Sequence, residues 1–145
     1  MTVPLEYAHA SQAFERFMLE ARDALDLSTS HQTFTVVEAV LWVFRRRLDA
    51  AGVAAFAQVL PAVLRAMFID GWDPAVPPLP FAAQTELARE VQAVRGRHNL
   101  APDNAIETVA GVLRRRVDAE AFDAVLSRLP DGAARYWSAQ HTPTD

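Results

Sequence analysis

The sequence contains no cysteine and no lysine. The first absence removes disulfide scaffolds, thiolate zinc sites, cysteine nucleophiles and thiol redox switches, and gives no reason to expect an oxidising compartment. The second excludes Schiff-base chemistry and the phosphate-gripping lysine of a Walker loop. Glycine is scarce, five in 145 residues, and no glycine-rich phosphate loop, Gly-x-Ser-x-Gly elbow or Gly-x-Gly-x-x-Gly fingerprint is present. Long apolar runs are missing as well. The most apolar stretch, Ala50 to Leu64, is interrupted by Gly52, Gln58 and Pro61 and is too short to span hydrocarbon. The first thirty residues carry Glu6, Glu15, Glu20, Asp23 and Asp26, where a signal peptide needs a basic start and an unbroken apolar run. A soluble cytoplasmic protein without membrane association is the expectation.

What is present points to helix. Twenty-seven residues are alanine, the strongest helix former, and all fourteen basic residues are arginine. With 51 % hydrophobic residues and a net charge of −4, the chain has globular rather than disordered composition. A single domain of this length buries roughly 68–70 % of its unfolded surface, so no metal or disulfide staple is required.

An internal repeat organises the chain. Placing Val40–Phe68 over Val109–Trp137, at a constant offset of 69, gives ten identities in twenty-nine positions, including three consecutive arginines, Asp49/Asp118, Leu60/Leu129 and Pro61/Pro130. Between the copies, Pro74, Pro77, Pro78 and Pro80 impose an extended, non-helical connection. We therefore read residues 1–72 as a first helical unit, 73–80 as a linker, 81–139 as a second unit and 140–145 as a disordered tail, all within one compact domain. Each unit repeats one helical grammar. Val36, Val37, Val40, Leu41, Phe44 and Leu48 recur at helical spacing, as do Ile106, Val109, Leu113 and Val117. Asp49 and Asp118 follow as N-caps of the next helix, and Pro61 and Pro130 suit the first position of another. Gly71 suits a left-handed C-cap. One long helix over Leu5–Leu25 and another over Ala82–Arg95 precede the core helices. The spacing predicts an all-α fold of about eight helices in two pseudo-symmetric four-helix units, packed as one bundle-like domain.

The run Leu60-Pro61-Ala62-Val63-Leu64-Arg65-Ala66-Met67-Phe68-Ile69-Asp70-Gly71-Trp72, with the proline-rich turn after it, resembles the signature segment of the DUF2267 family of bacterial proteins. Glu38 to Leu48 and the second Leu-Pro at Leu129-Pro130 fit the same two-fold pattern. The resemblance spans about Phe14 to Trp137 and implies an all-helical domain of two related units. It implies no activity, cofactor or catalytic residue. Asp131-Gly132-Ala133-Ala134 replaces Ala62-Val63-Leu64-Arg65 in the second copy, which predicts a shorter or more exposed final helix.

The arginine triplets are the strongest candidate chemistry. Arg45, Arg46, Arg114 and Arg115, with Trp42, would supply any phosphate-gripping or interaction surface, because arginine makes bidentate contacts to such groups. Structure is the favoured role, since each triplet closes a helix, where cations complement the macrodipole. On a helical wheel Arg47 and Arg116 fall near the apolar stripe and are expected to be partly buried and paired, with Arg46 and Arg115 exposed. Trp42 either packs under the long N-terminal helix or joins an interaction surface. Burial is favoured, because a helix central to the domain has no free face. Its counterpart Gly111 would then mark a close helix crossing. Trp72 is expected to pin the proline linker to the core, and Tyr136 and Trp137 to close the last helix against the second unit.

His31 and His98 occupy matching helix-entry loops, and two polar loop residues explain them better than a shared site. Glu15, Glu20, Glu86 and Glu90 read as solvated helix faces, with Glu86 and Glu90 paired to arginines on their own helix. No metal, cofactor or catalytic residue is indicated. The leading reading is a helical interaction module that forms a homodimer or binds an unidentified protein partner. The alternative is nucleic-acid or anion binding through the arginine clusters, which a sequence pI near 5.5 disfavours. An enzyme ranks last.

Overall fold

The structure, a computed structural model, describes residues 2–94, Gly96 and 101–139. The expected tail over 140–145 and the entry residue His98 lie outside the described residues. Among those described there are nine α-helices and no strand: α1 (Leu5–Ala8), α2 (Ala10–Leu25), α3 (Ser30–Arg45), α4 (Ala50–Ala57), α5 (Ala62–Ile69), α6 (Gln84–Ala93), α7 (Ala105–Arg114), α8 (Ala119–Arg128) and α9 (Ala133–Tyr136). None is long and apolar enough to cross a membrane.

Helix α3 is the hub. A capping box starts it: the Thr29 hydroxyl accepts from the Gln32 N–H at 3.1 Å, and the Gln32 side-chain oxygen accepts from the Thr29 N–H at 3.3 Å. The whole apolar stripe read from the sequence is buried, and so are Glu38, Ala39 and Val43 between its members and Thr33 and Thr35 before it. A helix buried this fully lies inside the domain rather than on its surface. The two threonines tolerate burial because each hydroxyl donates to a carbonyl one turn back, Thr33 to Thr29 and Thr35 to His31.

Helix boundaries recur at the offset of the sequence repeat. α3 and α7 end at Arg45 and Arg114, and α4 and α8 begin at Ala50 and Ala119. Asp49 accepts from the Gly52 N–H at 2.8 Å and Asp118 from the Ala121 N–H at 3.1 Å, so the two N-caps are made by the same atoms 69 residues apart. Gly71 adopts φ +68 beyond α5, as its C-cap position requires.

Several expectations need correction. The long N-terminal helix breaks at His9, and α1 buries no side chain that would hold it in line with α2. Pro61 is the N-cap of α5 rather than its first residue, and Pro130 precedes a turn, with α9 starting only at Ala133. α9 is shorter than α5, as the changed residues predict; Ala134 and Arg135 on it are exposed, while Tyr136 and the following Trp137 have no accessible surface. His31 sits in the first turn of α3, not in a loop. A Cβ at Gly111 would meet only an ordinary contact, Ala139 Cβ at 3.8 Å, so this glycine marks no tight crossing.

The packing runs crosswise. α2 lies most extensively against α7, and α3 lies as closely on α6 as on α2, so helices from residues 2–72 and from 81–139 alternate in one core. Phe44, Phe56, Phe68, Phe122, Tyr136 and Trp137 meet at its centre. Phe44 lies 4.7 Å from Phe56 and 5.1 Å from Tyr136, and Trp137 stacks on Phe56 at 5.5 Å. The Tyr136 hydroxyl donates to Val40 O at 2.6 Å. Trp137 also lies 6.0 Å from Phe122, so these two residues close the last helix against the second half, where the sequence reading placed them, and tie it to the first as well.

Candidate functional site

Each arginine triplet divides its work in the same order. The first residue caps the end of its own half: Arg45 Nη1 donates to Phe68 O at 2.8 Å and Asp70 O at 2.7 Å, and Arg114 Nε donates to Trp137 O at 2.6 Å. Phe68 and Trp137 are themselves 69 residues apart. Both guanidiniums also lie near rings, Arg45 at 5.4 Å from Trp42 and Arg114 at 5.1 Å from Phe122.

The second and third arginines reach into the other half. Arg47 grips Glu90 of α6 with two nitrogens, Nη1 to Oε2 and Nη2 to Oε1, while Arg46 approaches the same carboxylate at 3.4 Å. Arg115 and Arg116 hold Glu20 of α2, Arg115 at 2.7 Å and Arg116 at 3.0 Å. These are two reciprocal clamps, each joining an arginine pair of one half to a glutamate of the other. Planar guanidinium and carboxylate groups suit this bidentate geometry. Burial, the largest influence on each glutamate, raises its pKa, but hydrogen bonds and positive charge from the arginines outweigh it. Both carboxyls are held below the usual carboxylate value.

The clamps differ in depth. Arg47 is 4 % exposed, whereas Arg116 is 34 % exposed and thus more open than its wheel position predicts. The linker explains the contrast. Leu79 N–H donates to Arg46 O at 2.9 Å and Arg47 Nε to Pro80 O at 3.3 Å, so the linker roofs the end of α3. Arg46 and Arg115 are exposed, as expected. Glu20 and Glu90, read from the sequence as solvated surface residues, are the partners of the triplets. Helical spacing shows which residues share a face but not which face from the other half meets it. Burial and Arg46 press Arg45 below the usual arginine value, against the pull of Asp70 and Glu38.

Trp42 is half-buried, and its Nε1 donates to Met67 O at 3.0 Å. α5 is thus part of its cover. Arg45 and Arg46 do share a groove of about 310 Å³ with Gly71, Trp72, Val76 and Pro77. Arg114 and Arg115 are not part of it, so the two triplets do not converge on one ligand. Trp72 is half-buried, packs on the core and lines this groove beside the linker, in line with a pinning role.

Two apolar grooves were not foreseen. One, about 290 Å³, runs between α2 and the start of α5, with Phe14, Phe17 and Val63 in its lining and Glu6 and His9 beside them. The other, about 480 Å³, lies between α2 and α3 and is lined by Phe14, Met18, Leu19 and Phe34, with Glu15 and His31. Phe14 belongs to both. Leu5, Tyr7 and Leu19 nearby expose half or more of their surface. No group of three His, Cys, Asp or Glu residues able to hold a metal occurs among the described residues.

The family model for an uncharacterized conserved protein (DUF2267) matches residues 14–136, covering both clamps and the aromatic centre except Trp137. No curated protein matches the chain.

Proposed function

The chain belongs to the DUF2267 family, and on that premise we propose that it is a non-enzymatic interaction module of the cytoplasm. It docks a partner chain on its α1–α2 face, and a second copy is the simplest partner. The observation that carries this reading is the pair of apolar grooves flanking α2 and sharing Phe14, bordered by exposed Leu5 and Leu19. Apolar surface gathered around one helix, with charged residues beside it, is the usual form of a helix-docking site. The carboxylates most altered by their surroundings, Glu20 and Glu90, are held ionised by arginines, which suits them to structure rather than to proton donation.

Sedimentation across a concentration series tests the proposal. Wild type is expected to associate reversibly, and Leu5→Glu with Leu19→Glu to remain monomeric with an unchanged melting temperature. Identical sedimentation of the two proteins counts against docking on this face. Nucleic-acid binding is the less favoured reading, because all six triplet arginines already contact carbonyls or carboxylates. It predicts duplex-DNA binding at low salt that Arg46→Glu with Arg115→Glu abolishes.

A further inference from the structure

The contacts that close this fold run between two stretches of chain joined only through residues 73–80. α2 meets α7, α3 meets α6, Arg47 grips Glu90, Arg115 and Arg116 grip Glu20, and Tyr136 bonds Val40. Every one of these pairs has a member on each side of the linker. Nothing in their geometry requires both members to come from one molecule. The linker's own hydrogen bonds across the fold, Leu79 N–H to Arg46 O and Arg47 Nε to Pro80 O, reach only the first half. The hinge is therefore the short non-helical segment Phe81–Ala83 before α6, whose Phe81 ring lies 6.0 Å from Phe44 and 6.5 Å from Tyr136 and so keeps a partner in each half.

We propose that a second copy of this chain completes the fold by exchange: residues 2–80 of one copy pack on residues 84–139 of the other, and reciprocally. The occupant is fixed by complementarity already present, since the exchanged interface is the one each chain makes with itself. Both clamps then bridge copies, and only the hinge changes conformation. A short connection gives the intramolecular partner an effective concentration of about a millimolar. The closed monomer therefore prevails in dilute solution, and the exchanged dimer forms when chains refold together near that concentration.

Charge reversal of the more exposed clamp provides the test. One full-length variant carries Glu20→Arg, and a second carries Arg115→Glu and Arg116→Glu. As monomers, each sets like charges against each other. In an exchanged heterodimer, Arg at position 20 of the first meets Glu at positions 115 and 116 of the second, and the remaining clamp is wild type. The two variants, with distinct fluorescent labels, are unfolded in denaturant, mixed and refolded at about a millimolar, the concentration set by the linker. The expected product has twice the 16.0 kDa chain mass and holds both labels equally. Its fraction exceeds that of either variant refolded alone by about tenfold, the equilibrium gain from two restored surface clamps. Heterotypic and homotypic dimers in equal proportion would overturn the proposal, as would monomers alone. A heterotypic excess no larger after joint refolding than when the folded variants are simply mixed would also overturn it.

Discussion

Arg47 and Glu90 show how much one buried charge depends on its partner. Arg47 has almost no contact with water, and its remaining acceptors are the carbonyls of Val43 and Pro80. Glu90→Gln keeps the shape and removes the charge, leaving a guanidinium inside the protein without its counter-ion. The loss is expected to be about 2–3 kcal/mol, below the range for fully buried pairs because Glu90 is itself 26 % exposed. Glu20→Gln acts at the open clamp and is expected to cost less than about 1 kcal/mol. Urea unfolding of both variants checks the ranking, and equal losses would show that depth does not separate the clamps. The pH dependence follows from the same pairs. Both glutamates titrate lower when folded than the ordinary 4.5. Their contribution is complete above about that value and disappears as pH falls through the lowered folded pKa. Stability measured from pH 6 to pH 3 should fall in wild type, and Glu90→Gln should flatten that fall. Tyr136 is the opposite case, pushed well above the usual tyrosine value mainly by burial. It favours the folded state until pH rises past the unfolded tyrosine value.

Helices and turns carry predictions of their own, and two glycines separate them. Gly132 has φ +104, and a Cβ there would come within 2.7 Å of Phe81 Cγ. Gly132→Ala should therefore destabilise the protein by more than about 1 kcal/mol. Gly111 lies inside α7, where a Cβ would meet only ordinary contacts, so Gly111→Ala should stabilise by about 0.5–1 kcal/mol through helix propensity. Thermal melts of the pair decide, and a shift in the same direction for both would contradict the geometry. At this scale the sequence was informative. The Asp49 and Asp118 caps, the Gly71 turn and the α3 stripe depend on neighbours within a few residues, and local chemistry predicts them. The break at His9 and the late start of α9 were not legible, because tertiary packing sets them: nothing is buried on α1, and Phe81 fills the space beside Gly132.

For the molecule as a whole, the repeat was visible in the sequence but its closure was not. Identity at an offset of 69 shows that two stretches are alike. It does not say whether each packs on itself or on the other, because a hydrophobic stripe specifies burial without specifying the covering helix. The same limit hid the roles of Glu20 and Glu90 and showed only one of the two halves that Trp137 joins. With Trp137 against both Phe56 and Phe122, neither half holds a complete aromatic centre. Unfolding is expected to be a single cooperative transition, with tryptophan fluorescence and far-UV circular dichroism reporting the same midpoint. Two separated transitions would show that the halves melt independently.

The linker that roofs the end of α3 is exposed from Asp73 to Pro80, and Val76 is 64 % accessible. A protease that accepts small aliphatic residues can cut there without touching a helix. Because adhesion runs across the halves rather than along the backbone, the nicked pieces should stay together, elute at the intact size and part only in denaturant. The peptide bond at Ala75–Val76 thus sets the order of the two halves in the chain, while their cohesion survives its loss.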